Sequence, residues 1–386
     1  MAADNLWRHK LQSLAVLIPL MLVIATCAGM TFVRDGLLQD ARLALGMLPD
    51  LTVQRIIGGR VERLPVKIGE AIKETPHVRR VVPRIWGYVP LEVKKRPVAY
   101  TLMGLDLEQT PIASRIQLSL EAGRFLAAGD RGKLVVGKGF ASAFKVRAGD
   151  NITLRDSFDK PHNFQVVGIF ATAVQIYTAD MILTTLEDAR QFLGYDTRTV
   201  TDLNVYLDDI IYAGNVAQRI ITTQRNTRAL TRDVLWRLTH QAFGGRSGVF
   251  QLMWLILLLA SMLIAWAQMT NISLGIKREI GILKAVGWET MDIIQLKLLE
   301  SLGLGLLGFL GGVALGLGYL LLDAPGLKEY FLSWAAIYPD FPIPMYISPD
   351  SLMLLFGVSV FPLLAATVIP AWLLGITDPD QVIRAA

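Results

Sequence analysis

The sequence predicts a mixed membrane protein: four transmembrane α-helices, with a large α+β extracytoplasmic domain inserted between spans one and two. Three observations carry this expectation. The mean hydropathy over 386 residues is +0.43, too apolar for an ordinary soluble chain and spread over too great a length for one membrane bundle. Residues 14–33, 249–276, 302–322 and 351–377 are near-continuous apolar runs, each reaching or exceeding the ~20 residues a helix needs to cross the hydrocarbon. The interval 34–248 breaks instead into short alternating and helical patterns punctuated by Gly and Pro, as a folded aqueous domain does.

The first run follows Arg8, His9 and Lys10. A cleaved signal peptide has the same polarity but an apolar core of roughly 7–15 residues, so the longer run here makes residues 1–33 a cytoplasmic N-terminus and first transmembrane helix. Ile24-Ala25-Thr26-Cys27 matches a lipoprotein cleavage box only faintly, since Thr26 and Ile24 fit their positions poorly. Cys27 is the only cysteine, which excludes an intramolecular disulfide and a cysteine-rich metal site.

In the extracytoplasmic domain, 34–248, residues 51–57 alternate as a strand and 66–75 form a helix closed by Pro76; strand-like runs follow at 78–83, 88–93 and 100–105. Residues 134–170 read as a strand, a short helix at 140–145, a Gly149-Asp150 turn and two further strands. After these come a strand and helix in 179–195, a strand at 203–207, a helix at 211–224 and a strand at 228–234. A helix through 233–246 is expected to run on into the second span, with Gly244 and Gly245 as its candidate hinge. The domain holds 30 Lys and Arg against 22 Asp and Glu, a net of +8, against −3 for the remainder and +5 for the whole chain. Such a surface suits anionic headgroups or wall polymers, although a solvated surface with a mild bias is the plainer account. Lys94-Lys95-Arg96 reads as a loop or strand end.

Beyond it lie the second transmembrane helix (249–276), a cytoplasmic segment (277–297), the third transmembrane helix (298–322), a short outer loop (323–350) and the fourth transmembrane helix with a cytoplasmic C-terminus (351–386). Basic residues beside the spans set the orientation. Arg8, Lys10, Lys277, Arg278, Lys284, Lys297 and Arg384 fall on one side and only Lys328 on the loop between spans three and four. Both termini are therefore expected in the cytoplasm of a bacterial inner membrane.

Residues 277–288 are the most informative stretch: Lys277, Arg278, Glu279, Ile280, Gly281, Ile282, Leu283, Lys284, Ala285, Val286, Gly287 and Trp288. Ile276, Ile280, Leu283 and Val286 recur at helical spacing with charges between them. A short amphipathic helix between two spans suits docking to a soluble partner. Its wording resembles R-E-I-G-I-L-[RK]-A-[LV]-G, which follows the second span in FtsX-like permeases, the MacB and lipoprotein-release class of ABC transporters. The stretch from Leu134 is similar to the middle of that family's outer domain, through Gly149-Asp150 and V-V-G-I at 166–169. Pro370-Ala371, Asp378-Pro379 and Arg384 resemble its closing phrase, except that Trp372-Leu373-Leu374-Gly375 stand where basic residues are usual, which puts the end of the fourth span later. The resemblance covers nearly the whole chain in order. It implies that 277–288 is the coupling helix contacting a cytoplasmic ABC ATPase subunit, with Glu279 and Lys284 as polar contacts and Ile280, Leu283 and Val286 as the apolar anchor.

Chemistry of its own is not expected of this chain. Gly132-x-x-x-x-Gly137-Lys138 is followed by Gly139 rather than the Ser or Thr that a phosphate loop needs for magnesium. His9, His77, His162 and His240 are scattered and match no zinc pattern, and no serine sits in a nucleophile phrase. No catalytic residue and no metal ligand is therefore assigned, and ATP and Mg are expected on the partner ATPase, with no cofactor in this chain. The four apolar runs carry no ionisable residue in their interiors, which disfavours ion-coupled carriage. Gly308, Gly312 and Gly316 lie at i, i+4 and i+8, a small-residue stripe for close helix packing, either within the subunit or at a dimer seam.

The reading that results is a permease subunit that couples hydrolysis on the separate ATPase to movement of the outer domain, extruding or releasing a lipid-linked or amphiphilic substrate by mechanotransmission. The alternative is a signalling or scaffold subunit that activates a cell-wall hydrolase without transporting anything. Expected partners are the ATPase, a second permease copy or paralogue in a dimer, and membrane lipid, with periplasmic or outer-membrane proteins also open and no nucleic acid.

Overall fold

The computed structural model describes residues 10–93, 95–108, 119–172, 174, 178–244, 248–270, 274–322, 324, 326 and 343–376. Two compact units make up the chain: Leu38–Ala242 is an α+β domain, and the helices on either side of it in sequence form a bundle.

Helix α1, Lys10–Met47, runs well past the apolar stretch 14–33. Leu, Ala, Met and Arg between positions 34 and 47 are good helix formers, so nothing stops the helix until Pro49, whose predecessor is pushed out of the α region. Strands β1 (Leu51–Ile57), β2 (Arg60–Glu62) and β3 (Leu64–Pro65) and helix α2 (Lys67–Lys73) follow. The two runs expected at 78–83 and 88–93 are one strand, β4 (Val78–Val93), because Gly87 between them stays extended and pairs in the sheet. Then come β5 (Arg96–Leu105), β6 (Leu120–Gly123), β7 (Lys133–Gly137), α3 (Lys138–Phe144), β8 (Asn151–Arg155), β9 (Pro161–Phe170), β10 (Met181–Thr185), α4 (Leu186–Phe192), β11 (Thr199–Val200) and β12 (Asp202–Leu207). A short 3₁₀ turn at Ile210–Tyr212 leads into α5 (Ala213–Thr223), and β13 (Thr227–Thr231) and α6 (Arg232–Phe243) complete the domain.

The main sheet runs β13-β1-β12-β4-β5-β10-β7-β9-β6, with β2 on β1 and β8 on β9. Strand β4 joins its two halves, pairing with β12 through residues 78–84 and with β5 through 85–93. The β5–β10 and β7–β9 pairs are parallel and the others antiparallel. One face holds the larger core, including Leu51, Val53, Ile85, Tyr100, Phe140, Val166 and Leu203. Met103, Leu105, Phe125, Val135, Phe170 and Leu183 form a second apolar layer. Lys95 takes a left-handed turn between β4 and β5 and Arg96 opens β5; Lys94 lies outside the described residues.

The bundle contains α7 (Gly248–Thr270), α8 (Leu274–Ala285), α9 (Thr290–Leu321) and α10 (Pro349–Ile376) together with the first part of α1. Among the described residues, three helices are long and apolar enough to cross a membrane: Ser13–Met47, Thr290–Leu321 and Pro349–Ile369. In α7, the expected second span, the described apolar stretch is the shorter Phe250–Ile264.

One expectation is corrected. The helix expected to run from 233–246 into the second span, with Gly244 and Gly245 marking a hinge or its end, stops at Phe243; Gly244 is a bend, and the next described helix is α7, Gly248–Thr270. Glycine loses the most backbone freedom in a helix and offers no side chain in return, so the helix ends there; Gly245 lies outside the described residues. The apolar runs themselves carry no Asp, Glu, Lys, Arg or His, but the helices outrun them, so α1 also includes Arg34, Asp35, Asp40 and Arg42, and α9 includes Asp292, Lys297 and Glu300.

Candidate functional site

Helix α8 and the turn after it contain residues 277–288, the segment expected to dock a partner. The side chains of Lys277, Arg278 and Glu279 lie outside the described residues. Helix α8 packs against α10, and Ile280 (6 % exposed) and Gly281 are buried. Ile282 and Val286, at i and i+4, are 53 % and 76 % exposed, whereas Leu283, Lys284 and Trp288 are half-buried. Ile280 therefore does not belong to an outward apolar anchor. It stands about 200° round the helix from Ile282, on the side the bundle covers, and the outward pair is Ile282 with Val286.

The end of α8 is built by its glycine. Gly287 has φ +105°, which lets its N–H reach Lys284 O at 3.0 Å while Trp288 N–H reaches Leu283 O at 3.1 Å, satisfying the last carbonyls of the helix in a Schellman-like close. One residue later a capping box opens α9: Glu289 N–H donates to Asp292 Oδ2 at 2.9 Å, and the Glu289 side chain accepts from the Asp292 backbone. The motif A-V-G-W-E-T-M-D is thus a stop signal followed at once by a start signal, and it fixes where the chain turns from α8 into α9.

The glycine stripe of α9 faces α1. A Cβ on Gly312 would lie 2.7 Å from Ile24 Cβ, one on Gly316 2.8 Å from Ala25 O, and one on Gly308 2.6 Å from Leu20 Cδ2. Gly305 is turned toward Val360 and Leu363 of α10. Small residues here let α9 approach its neighbours at backbone distance.

Where α1 leaves the bundle there is a polar cluster that the apolar pattern does not reveal. Arg34 Nε donates to Asp35 Oδ1 at 2.9 Å, Arg34 Nη2 donates to Ser351 Oγ at 3.1 Å, and Ser351 Oγ donates to Asp35 Oδ2. The guanidinium lies 5.4 Å from the Phe250 ring centre. Only the adjacency of Arg34 and Asp35 was visible in the sequence, and nothing there pointed to Ser351. Toward the start of α9, Lys297 and the buried Glu300 pair at 2.7 Å.

In the α+β domain, Asp202 is fully buried on β12 and accepts from Arg84 Nε at 2.8 Å, Arg84 Nη2 at 2.7 Å and Trp86 Nε1 at 2.8 Å. This joint sits where β4 passes from one half of the sheet to the other. A cleft beside it, lined by Met47, Pro49, Arg84, Met103, Leu105 and Asn204, has a volume of about 20 Å³, far below the several hundred Å³ of an organic-ligand site. The Gly132 to Lys138 phrase is strand β7 and the start of α3, with Lys138 Nζ on Glu121 at 2.8 Å, not a loop that could wrap a phosphate. His77 stacks on Tyr212, His162 pairs with Asp156 at 3.0 Å, and His240 lies against Trp236. Among the described residues no group of three His, Cys, Asp or Glu could hold a metal.

Residues 13–223 match the model of the MacB-like periplasmic core domain, and residues 251–379 match that of the FtsX-like permease C-terminal region. No curated protein matches the chain. Among solved structures, the periplasmic region of MacB from Actinobacillus actinomycetemcomitans is similar at 12 % identity and TM-score 0.36, over 49 % of this chain and 91 % of that one. The extracellular domain of the noncanonic ABC-type transporter YknZ from Gram-positive bacteria is similar at 10 % identity and TM-score 0.34, over 47 % and 99 %.

Proposed function

Because the chain belongs to the FtsX- and MacB-type permeases of ABC transporters, we propose that it docks a separate cytoplasmic ATPase on α8 and converts hydrolysis there into movement of its α+β domain. Membership in this family makes it a permease subunit of a bacterial inner membrane. The motion extrudes or releases a lipid-linked or amphiphilic substrate, and the permease works as a dimer with both termini in the cytoplasm.

The observation that carries the docking is the exposed pair Ile282 and Val286 on a helix whose other side is buried and whose end is set by the Gly287 turn. An aliphatic pair at i and i+4 on a short helix suits insertion into an apolar groove of a partner. The positive balance of the domain gives some support to an anionic amphiphile as cargo.

Val286→Asp tests the docking. The residue is 76 % exposed, so the substitution leaves the fold of the permease intact, yet in a docked complex it buries a carboxylate without a partner. An ATPase that co-purifies with the wild-type chain should be lost from the variant. Equal yield with both chains would refute docking at this face.

A further inference from the structure

The cluster where α1 leaves the bundle joins three helices, and we infer that Arg34, Asp35 and Ser351 are positioning residues that tie α1 to α10, and through Phe250 to α7, so that displacement of the bundle is passed along α1 instead of being lost between helices. Each link is separate. Asp35 (7 % exposed) and Ser351 (3 % exposed) share a hydrogen bond although they are 316 residues apart. Arg34 Nη2 donates to Ser351 Oγ at 3.1 Å, and its guanidinium lies over the Phe250 ring of α7. Close by, Tyr346 N–H donates to Phe32 O at 3.1 Å, a backbone link between the chain entering α10 and α1.

The chemistry explains why these groups sit together. A carboxylate taken out of water needs compensation, and Asp35 finds a guanidinium, a hydroxyl and the N-terminal turn of a 28-residue helix whose dipole favours negative charge there. Ser348 accepts from Ser351 N–H at 3.1 Å, which fixes the turn that presents the Ser351 hydroxyl. Apolar contacts permit sliding by a fraction of a turn. A directional, buried set of hydrogen bonds between two helices permits one register, and this is the property a transmitting helix needs at the point where it leaves the bundle.

The inference rests on the mechanotransmission reading, and its test separates the two. Asp35→Cys and Ser351→Cys are combined in a Cys27→Ala chain, reconstituted with its co-purified ATPase, and distances between spin labels on the α+β domains are measured with and without ATP. The chain is measured before and after bridging the two cysteines with a short bifunctional thiosulfonate. The expected result is ready bridging, loss of the ATP-driven distance change in the unbridged chain with ATP turnover retained, and recovery of that change on bridging. An unbridged chain that responds as fully as the Cys27→Ala parent would overturn the role of the cluster, and so would failure to bridge. A parent that shows no ATP-driven change overturns the mechanotransmission reading itself, and the cluster's role with it.

Discussion

Replacing Gly312 by Ala probes how closely α9 is seated on α1. The added methyl would lie 2.7 Å from both Cβ and Cγ2 of Ile24 and 3.0 Å from Met21 O. Neither a β-branched carbon, whose χ1 is stiff in a helix, nor a backbone carbonyl can step aside, and Ile24 is fully buried. Overpacking of this kind costs about 1–3 kcal/mol, against a gain of about 1 kcal/mol from exchanging Gly for Ala within a helix. Because neither neighbour can yield, the upper part of that range, about 2–3 kcal/mol, applies, and the net expectation is a loss of about 1–2 kcal/mol, or roughly 2–8 °C in midpoint. Gly318 supplies the control on the same helix: nothing lies within 4 Å of its Cβ position, so Gly318→Ala should be neutral or stabilising by up to about 1 kcal/mol. Gly311→Ala falls between them, because the atom it meets is the terminal methyl of Met21, the far end of a flexible side chain. Thermal unfolding of the full chain in detergent, followed by intrinsic fluorescence, measures all three. A Gly312→Ala chain as stable as the wild type, or a Gly318→Ala chain destabilised to the same degree, would refute the contact between α9 and α1.

Two further outcomes concern the α+β domain. Arg84→Met should cost about 3–5 kcal/mol in denaturant unfolding, because it strands the fully buried Asp202 with Trp86 as its one remaining donor; adding Asp202→Asn should recover part of that loss, and a double variant no better than the single would argue against the pairing. Burial holds the Asp180 carboxyl above the ordinary range, with the Thr101 hydroxyl acting in the opposite direction. Its contribution to stability is then fully present below the unfolded value of about 3.9 and falls as pH rises through the raised folded value. Asp180→Asn keeps an acceptor for Thr101 and should flatten stability against pH above about pH 4, so an unchanged slope would show that Asp180 is not the group responsible.

Much of the molecule is written locally. An apolar run of twenty residues dictates a helix wherever it sits, since its backbone groups have no other way to be satisfied in hydrocarbon. A Gly two residues after Ala285 ends α8 because only glycine takes φ +105° without strain. Strands β1, β10 and β12 and helices α2 and α5 were readable from spacing for the same reason, as was the helix that contains residues 277–285.

What the sequence did not disclose depends on which distant segments meet. The run through Gly87 looks like a break between two strands, and only pairing with β12 on one side and β5 on the other makes β4 continuous. The spacing of Ile280, Leu283 and Val286 marks an amphipathic helix, but α10 decides which side is covered, and that turns Ile280 inward and leaves Ile282 outside. Gly308, Gly312 and Gly316 announce a close approach without naming the neighbour, which is α1. Asp35 finds Ser351 across 316 residues, and Arg84 finds Asp202 across 118. Periodicity records how a segment presents its own faces to a generic apolar surrounding; which partner fills that surrounding is settled only when the whole chain packs.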